Sequence, residues 1–263
     1  MITAPTIRNT EAQILLSLFT KNKFVNILYL SYDGMTDPLG QSQVLPYLIG
    51  LTKEGHRFTL ISFEKKERFE QQAARISELC EEHHIDWQPQ FYTKNPPVIS
   101  TLRDVRKMRQ KAFALHAQKN IQLVHCRSYL SALVGLQFKR KWSIPFIFDM
   151  RGFWADERVD GKLWNLKNPI FRSIYHFFKR KELQFLQESA ATVSLTHAGK
   201  EEMNRWELKS KTKFTPIQVI PCCTDLTVFE EIQRSNTATN LGYLGSLGTW
   251  YLLDEMLAFF FNL

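Results

Sequence analysis

The chain has 263 residues, of which 44% are hydrophobic and 23% are charged, so it carries enough apolar sequence to bury a large core. No low-complexity tract is present, and the composition therefore excludes intrinsic disorder and fibrous architectures. The formal net charge of +8 predicts a negatively charged partner: nucleic acid, a phosphate-bearing ligand or an anionic bilayer. A basic surface that is merely solvated would explain the same charge.

Four cysteines without any C-x-x-C spacing favour a reducing, cytoplasmic compartment. The apolar stretch 14–19 is too short to span a membrane and has no small-residue cleavage site after it. We therefore expect residues 1–23 to form a leader that is neither a secretion signal nor a membrane anchor.

The hydrophobic pattern predicts strands that alternate with helices along the chain. Apolar runs bounded by turn formers indicate buried strands, and apolar residues at helical spacing indicate amphipathic helices. We expect strands over 26–32, 58–63, 87–92, 121–125, 145–149, 191–195 and 217–220, helices over 41–54, 67–82, 101–119, 129–141 and 169–188, a short helix ending at Trp206, and irregular structure over 151–167.

This alternation predicts an α/β fold with a doubly wound, Rossmann-like parallel sheet, because parallel strands need long right-handed crossovers. Residues 24–229 are expected to form that domain. The polar, aperiodic segment 230–240 indicates a linker, and residues 241–263 are interpreted as the first strand and helix of a second Rossmann-like domain.

The loop from Gly34 to Gln43 follows the first strand and leads into a helix. Free amide groups and the helix dipole at such a place favour a phosphate, and Gly34 and Gly40 would let the backbone approach a ligand. Gln41 belongs to the same candidate site. The glycines could equally be ordinary turn residues, and the loop lacks the G-x-G-x-x-G pattern of dinucleotide enzymes.

Two further strand ends carry polar side chains where ligands of this fold bind. His125, Arg127 and Ser128 follow one predicted strand, and the next is followed by a loop rich in charge and aromatic rings. Arginine clamps phosphate and tryptophan stacks on sugar faces, which makes this loop a candidate site. The alternative is that Asp149 and Arg151 pair structurally and that Trp154 is a core residue. The candidates from this loop and from the end of a later strand are Asp149, Arg151, Trp154, Arg158, Thr196 and His197.

Five segments in this order resemble the N-terminal domain of glycosyltransferase family 4. They are LSYDGMTDPLGQSQ (30–43), FDMRGFWADER (148–158), VSLTHAGKEEM (193–203), VIPCCTDLTVF (219–229) and YLGSLGTWY (243–251). The resemblance implies two Rossmann-like domains (GT-B) and transfer of a sugar, with retention of configuration, from a nucleotide sugar to a glycan or lipid-linked acceptor. No cofactor and no obligatory metal are implied.

By this resemblance the first domain holds the acceptor, with Asp149 and Arg151 as catalytic candidates and Gly40 near the donor diphosphate. Gly245, Ser246 and Leu247 would lie on the donor side. Where many relatives have Asn-Gly after the last strand of this domain, this sequence has Cys222 and Cys223. The family's donor-binding carboxylates would lie beyond Leu263, so we expect the chain alone to show little transferase activity. A non-catalytic sugar- or lipid-binding module and, more distantly, a nucleotide-sugar epimerase are the alternatives.

The helix 169–188 is crowded with aromatic and basic side chains. It could lie on the inner face of an anionic membrane, or it could bury its aromatic residues in the core and expose its cations to water. The other basic residues are spread over several helices, which is not typical of a nucleic-acid surface, so we expect no nucleic-acid partner.

Overall fold

The structure is a computed structural model that describes residues 24–96, 98–223, 242–243 and 252–261. Within these ranges the chain forms one parallel sheet with helices on both faces. The strands are β1 (Asn26–Ser31), β2 (Arg57–Glu64), β3 (Ile85–Phe91), β4 (Leu123–Arg127), β5 (Phe146–Asp149), β6 (Ala191–Ser194) and β7 (Ile217–Val219). The helices are α1 (Pro38–Gln43), α2 (Leu45–Lys53), α3 (Lys66–Glu82), α4 (Ile99–Lys119), α5 (Ser128–Trp142), α6 (Trp154–Asp160), α7 (Pro169–Glu188), α8 (His197–Ser210) and α9 (Leu253–Phe261).

The strands lie in the order β3-β2-β1-β4-β5-β6-β7, and each neighbouring pair is parallel. The chain therefore starts in the middle of the sheet, builds outward in one direction, and returns to β1 to build in the other. The change of direction between β1 and β4 is the switch point at which such sheets bind ligands. The register places Ser31, Arg127, Asp149 and Val193 in one row at the carboxyl edge. The α/β class and the doubly wound parallel sheet are confirmed.

The core has two layers because side chains alternate across a strand. Leu28 and Leu30 of β1 face the layer formed with α4, α5 and α7, whereas Ile27 and Tyr29 face the layer formed with α2 and α3. Every residue of β1 after Asn26 is buried, which explains why its sequence is a continuous apolar run.

Two predicted elements differ from the structure. The helix expected over 41–54 is two helices, α1 and α2, which meet at Val44, where φ is −118° and ψ is −62°. Pro46 lacks an amide hydrogen and so cannot donate the bond that would continue α1 into α2. The stretch 151–167 is not wholly irregular, because it contains α6, whose apolar contacts come from too few residues to show a helical period.

Smaller differences concern boundaries. Strand β4 lies two residues later than expected and ends at Arg127, and α8 continues past Trp206 to Ser210. The expected linker 230–240, the strand expected at 241–244 and the donor-side residues Gly245, Ser246 and Leu247 lie outside the described residues. In the described part of the chain, no helix has the length and apolar character needed to cross a lipid bilayer.

Candidate functional site

A cavity of about 960 Å³ opens at the carboxyl edge of the sheet, beside the switch point. The ends of β1 and β4 and the helices α4, α5, α6 and α7 contribute its walls. Of the residues predicted from the sequence, the cavity brings together Arg127, Ser128, Arg151, Trp154 and Arg158. Three guanidinium groups therefore share one largely apolar space.

Asp149 lies behind this cavity as a buried carboxylate, with two guanidinium groups and one imidazole around it. Its Oδ2 is 3.6 Å from Nε2 of His125 and 3.9 Å from Nη1 of Arg127, while its Oδ1 is 3.8 Å from Nη1 of Arg151. Asp149 is 5% exposed, and its Oδ1 has no hydrogen-bond partner in the described structure. The contacts are too long for close ion pairs, so the carboxylate acts mainly through its charge on the groups around it.

Arg127 is the buried member of this cluster. Its Nε donates to Oδ2 of Asp33 at 2.9 Å, and it stands between Asp33 and Asp149. Burial lowers the pKa of Arg127, but the charges of Asp33 and Asp149 and the hydrogen bond to Asp33 oppose that effect, and the pKa lies above its usual value. Arg127 is therefore a fixed positive charge at the floor of the cavity.

The backbone is strained where β4 and β5 end. Ser128 has φ of +70° and Arg151 has φ of +61°, in the left-handed region that residues with a side chain seldom adopt. Both residues line the cavity and follow neighbouring strands. Strain of this kind persists where the surrounding structure imposes it, and it is concentrated at functional sites. Here it accompanies the turn of both side chains toward the ligand edge of the sheet.

Arg158 lies against an aromatic wall. Its guanidinium carbon is 4.5 Å from the ring centre of Trp154 and 5.8 Å from that of Trp164. Its Nε is buried without a hydrogen-bond partner, and no carboxylate of the described residues lies within ion-pair distance of it. Burial lowers the pKa of Arg158. Trp154 contacts Phe178 and Tyr129 as well, so it both packs on the core and lines the cavity.

A buried polar network holds the helices around the cavity. The hydroxyl of Tyr129 on α5 donates to Glu182 on α7, and Nζ of Lys179 lies 2.5 Å from Glu182 and 2.8 Å from Asp156 on α6. Burial and the Glu182 charge raise the pKa of Tyr129 well above its usual value, and burial raises the pKa of Glu182. This network links α5, α6 and α7 and thereby fixes the geometry of the cavity.

The loop that follows β1 is built differently from the expectation. Its amide groups at Met35 and Thr36 donate to the carboxylate of Glu64, at 2.8 Å and 3.1 Å, and so are not free for a phosphate. The helix after it begins at Pro38, which has no amide hydrogen, and Asp37 in front of it carries a negative charge. The amides of Met35 and Thr36 are therefore occupied within the protein, and phosphate binding at the start of α1 stays a prediction.

Close packing within the protein explains why glycine is required at both positions of this loop. A Cβ on Gly34 would lie 2.6 Å from Oε2 of Glu64, and one on Gly40 would lie 2.6 Å from Cα of Met35. Gln41 donates from Nε2 to the carbonyl oxygen of Thr36 at 3.2 Å. A role of Gly34, Gly40 and Gln41 in substrate binding remains a prediction.

Thr196 and His197 lie at the start of α8. The hydroxyl of Thr196 accepts from the amide of Gly199 at 2.9 Å, so this residue is the N-cap of the helix. His197 is exposed at the first helical position, and neither residue lines the cavity, although the preceding Leu195 does. Within the described ranges, no group of three or more His, Cys, Asp or Glu side chains is arranged to hold a metal ion.

Most of the apolar lining was missed at the level of sequence. Most of the missed residues lie on helices whose apolar positions were interpreted as core. Leu163 and Trp164 lie in the turn between α6 and α7, and Tyr32 and Asp33 directly follow β1 and could have been selected by that position. The missed residues include Tyr32, Asp33, Thr101, Leu102, Val105, Leu130, Leu133, Leu163, Trp164, Phe171, Ile174, Phe177 and Phe178.

Fold and site together define a Rossmann-like domain of the GT-B type, with its ligand edge at the carboxyl ends of the strands. The sequence profile of Glycosyltransferase Family 4 matches residues 43–228, and the chain belongs to this family. No curated protein sequence matches the chain.

Three solved structures resemble the chain to different degrees. Sucrose-phosphate synthase from Thermosynechococcus elongatus matches with a TM-score of 0.54 and 13% identity over 79% of this chain and 50% of that protein. A ugt transferase from Siraitia grosvenorii in complex with UDP matches with a TM-score of 0.49 and 8% identity, over 74% of this chain and 50% of that protein. HepE from Anabaena in complex with UDP and glucose matches with a TM-score of 0.45 and 13% identity, over 77% of this chain and 45% of that protein. The chain thus spans about half the length of these structures.

Proposed function

We propose that the chain is the acceptor-side domain of a retaining, nucleotide-sugar-dependent glycosyltransferase that passes a hexose-type sugar to a glycan or lipid-linked acceptor. The observation that carries the proposal is the cavity at the switch point of a family 4 domain, with Arg127, Arg151 and Arg158 in its lining. Family membership supports the donor class, and the position of the cavity supports an acceptor site on this domain.

In the proposed reaction the bond between the anomeric carbon and the diphosphate breaks, and the nucleoside diphosphate leaves with the electron pair. An acceptor hydroxyl oxygen forms the new glycosidic bond, and its proton passes to the departing phosphate. Negative charge therefore grows on the leaving group, and fixed cations near it lower the barrier. Arg151 is our candidate for this role, because its guanidinium reaches the cavity while Asp149 behind it restrains its position.

We propose further that donor binding is completed by a second lobe, that no metal is required, and that the protein works on the cytoplasmic side, at the inner face of a membrane. The similarity to family 4 supports the first two points. All four cysteines are free thiols, which is consistent with a reducing compartment.

The test assays the 263-residue chain beside the product of its whole reading frame, with a panel of nucleotide sugars and of glycan and lipid-linked acceptors. We expect transfer by the whole product and little by the chain, with the anomeric configuration of the donor kept in the product by NMR. Arg151→Gln should lower kcat by about 100-fold or more, whereas the exposed Arg172→Gln should not change it. Absence of transfer with every donor and acceptor, or an inverted product, would contradict the proposal.

A further inference from the structure

Part of the cavity lining, called the apolar wall below, consists of aliphatic and aromatic side chains that binding of a sugar does not require. Val105 of α4, Leu130 and Leu133 of α5, and Ile174 and Phe178 of α7 line it with apolar side chains. Sugar hydroxyls are bound through polar side chains and the face of an aromatic ring, whereas an aliphatic chain is bound by apolar surface alone. The apolar wall therefore matches an aliphatic chain.

The mouth of the cavity is also apolar. Leu39, Leu102, Leu163 and Phe177 line it with 57%, 65%, 46% and 39% of their surfaces exposed. Single exposed apolar residues are ordinary, but here four of them line the same cavity, so the solvent-exposed part of its lining is apolar as well. A chain longer than the cavity could leave it over this exposed apolar surface.

The polar part of the lining is cationic. Arg127 is neutralised by Asp33 and Asp149, and Arg151 lies 3.8 Å from Asp149. Arg158 has no such partner among the described residues, although Trp154 and Trp164 hold its guanidinium in place. A partly buried cation that lacks an ion-pair partner is unfavourable, and a bound phosphate would reduce that penalty through the planar fork of the guanidinium.

These observations deepen the proposed function, on which they rest. We propose that the acceptor is an amphiphile in which a phosphate or diphosphate joins an aliphatic chain to a sugar, and that a hydroxyl of this sugar receives the transferred hexose. Its anionic group binds at Arg158, and its chain lies along the wall formed by Val105, Leu133 and Phe178. The cavity volume of about 960 Å³ lies within the range of small-molecule sites, which suits the head and the first part of the chain.

The probe is farnesyl diphosphate, titrated calorimetrically into the full 263-residue chain, with farnesol and inorganic diphosphate as half-molecule probes. We expect farnesyl diphosphate to bind at least tenfold more tightly than either half, because only the whole molecule meets both the cation and the apolar wall. Trp154 and Trp164 supply a second readout, since both line the cavity and their fluorescence should change on binding.

Two variants distinguish binding of the diphosphate group from binding of the aliphatic chain. Arg158→Gln should weaken farnesyl diphosphate by about tenfold or more and leave farnesol unchanged. Leu102→Gln, at an exposed position that tolerates polarity, should weaken farnesyl diphosphate and farnesol and leave inorganic diphosphate unchanged. Their controls are Arg172→Gln on the exposed part of α7 and Leu208→Gln on α8, which is 79% exposed. Circular dichroism and thermal melting confirm folding, and Arg158→Lys should restore part of the binding if the charge is what matters.

Absence of farnesyl diphosphate binding would overturn the inference, as would diphosphate alone binding equally well or both variants binding like wild type. The proposed function is tested in a separate assay, which measures sugar transfer catalysed by the protein made from the whole reading frame. Transfer to a water-soluble glycan by a protein that does not bind farnesyl diphosphate would overturn only the inference. Binding with the expected dependence on Arg158 and Leu102, but without transfer to any acceptor, would support the amphiphile site and contradict the transferase.

Discussion

Arg127 and Asp149 are direct neighbours in the sheet: they are paired residues of β4 and β5, and Nη1 of Arg127 lies 3.9 Å from Oδ2 of Asp149. Both side chains are buried at the carboxyl edge. Because Arg151 faces the same carboxylate, one buried negative charge stabilises two guanidinium groups that would otherwise repel each other.

Asp149→Asn tests this relationship. The amide keeps the shape but removes the charge, so Arg151 loses its counter-ion while Arg127 keeps Asp33. We expect the free energy of unfolding in urea to fall by about 1–3 kcal/mol. The exposed Asp160→Asn is the control, and it should change stability by less than about 0.5 kcal/mol. Equal stabilities of the two variants would show that the cations do not depend on Asp149.

Gly40→Ala should be destabilising, because a Cβ would lie 2.6 Å from Cα of Met35 and closer still to the carbonyl oxygen of Gly34. Both are backbone atoms that cannot rotate away, so we expect a loss of about 1–3 kcal/mol in urea unfolding. Gly50→Ala is the matched control, since nothing lies within 4 Å of its Cβ position in α2. That variant should gain about 0.5–1 kcal/mol, and a similar loss for both would refute the packing argument.

Glu64→Gln should loosen the loop after β1. The carboxylate accepts from the amides of Met35 and Thr36 and from the hydroxyls of Thr36 and Ser62, and an amide group would face some of these donors with donors of its own. We expect a loss of about 3 kcal/mol in urea unfolding and faster hydrogen exchange at Met35 and Thr36. The exposed Glu70→Gln should change neither measurement. Unchanged exchange at both amides would mean that another group holds the loop.

His116 should make stability depend on pH. Burial lowers its pKa below the usual 6.5, because the ring packs against Phe138 and Trp142 and its Nδ1 is buried without a hydrogen-bond partner. The unfolded chain then takes up the proton more readily than the folded chain. Stability due to this group is complete above the usual pKa and is lost as pH falls through and below it.

His116→Phe keeps the aromatic packing and removes the titration. Between pH 7.5 and pH 5.5, urea midpoints of the variant should fall less steeply than those of wild type, while the two proteins should differ least at the higher pH. Parallel slopes for the two proteins would contradict the assignment.

Sequence reasoning predicted the fold because most of the strands, unlike β3, are apolar runs between turn formers and the major helices have apolar residues at helical spacing. It missed α6, which is only seven residues long. This helix contributes Trp154 and Arg158 to the lining of the cavity. It also placed β4 too early. Arg127 is charged and resembles a residue after the strand, but its pairing with Ser31 and Asp149 keeps it within the sheet.

Only part of the candidate site could be predicted from the sequence. Strand ends identify Arg127, Ser128 and Arg151, because topology alone brings those positions together. The apolar wall is different, since Val105, Leu133 and Phe178 show the same periodicity whether they face a filled core or an open cavity. Periodicity indicates which side of a helix faces inward, and only the packing of three helices decides how much space is left between them.

The position of β1 in the sheet has a consequence for synthesis of the protein. One edge of β1 pairs with β2, which follows soon after it, but the other pairs with β4 over Ile27↔Leu123 to Ser31↔Arg127. While the ribosome is still translating the segment before Leu123, β1 and β2 can already be paired in the nascent chain. The other edge of β1 then exposes backbone hydrogen-bonding groups that have no partner strand, next to apolar side chains. Such an open strand edge can pair with a strand from another chain. Arrest of translation or proteolysis ahead of β4 should therefore yield insoluble fragments.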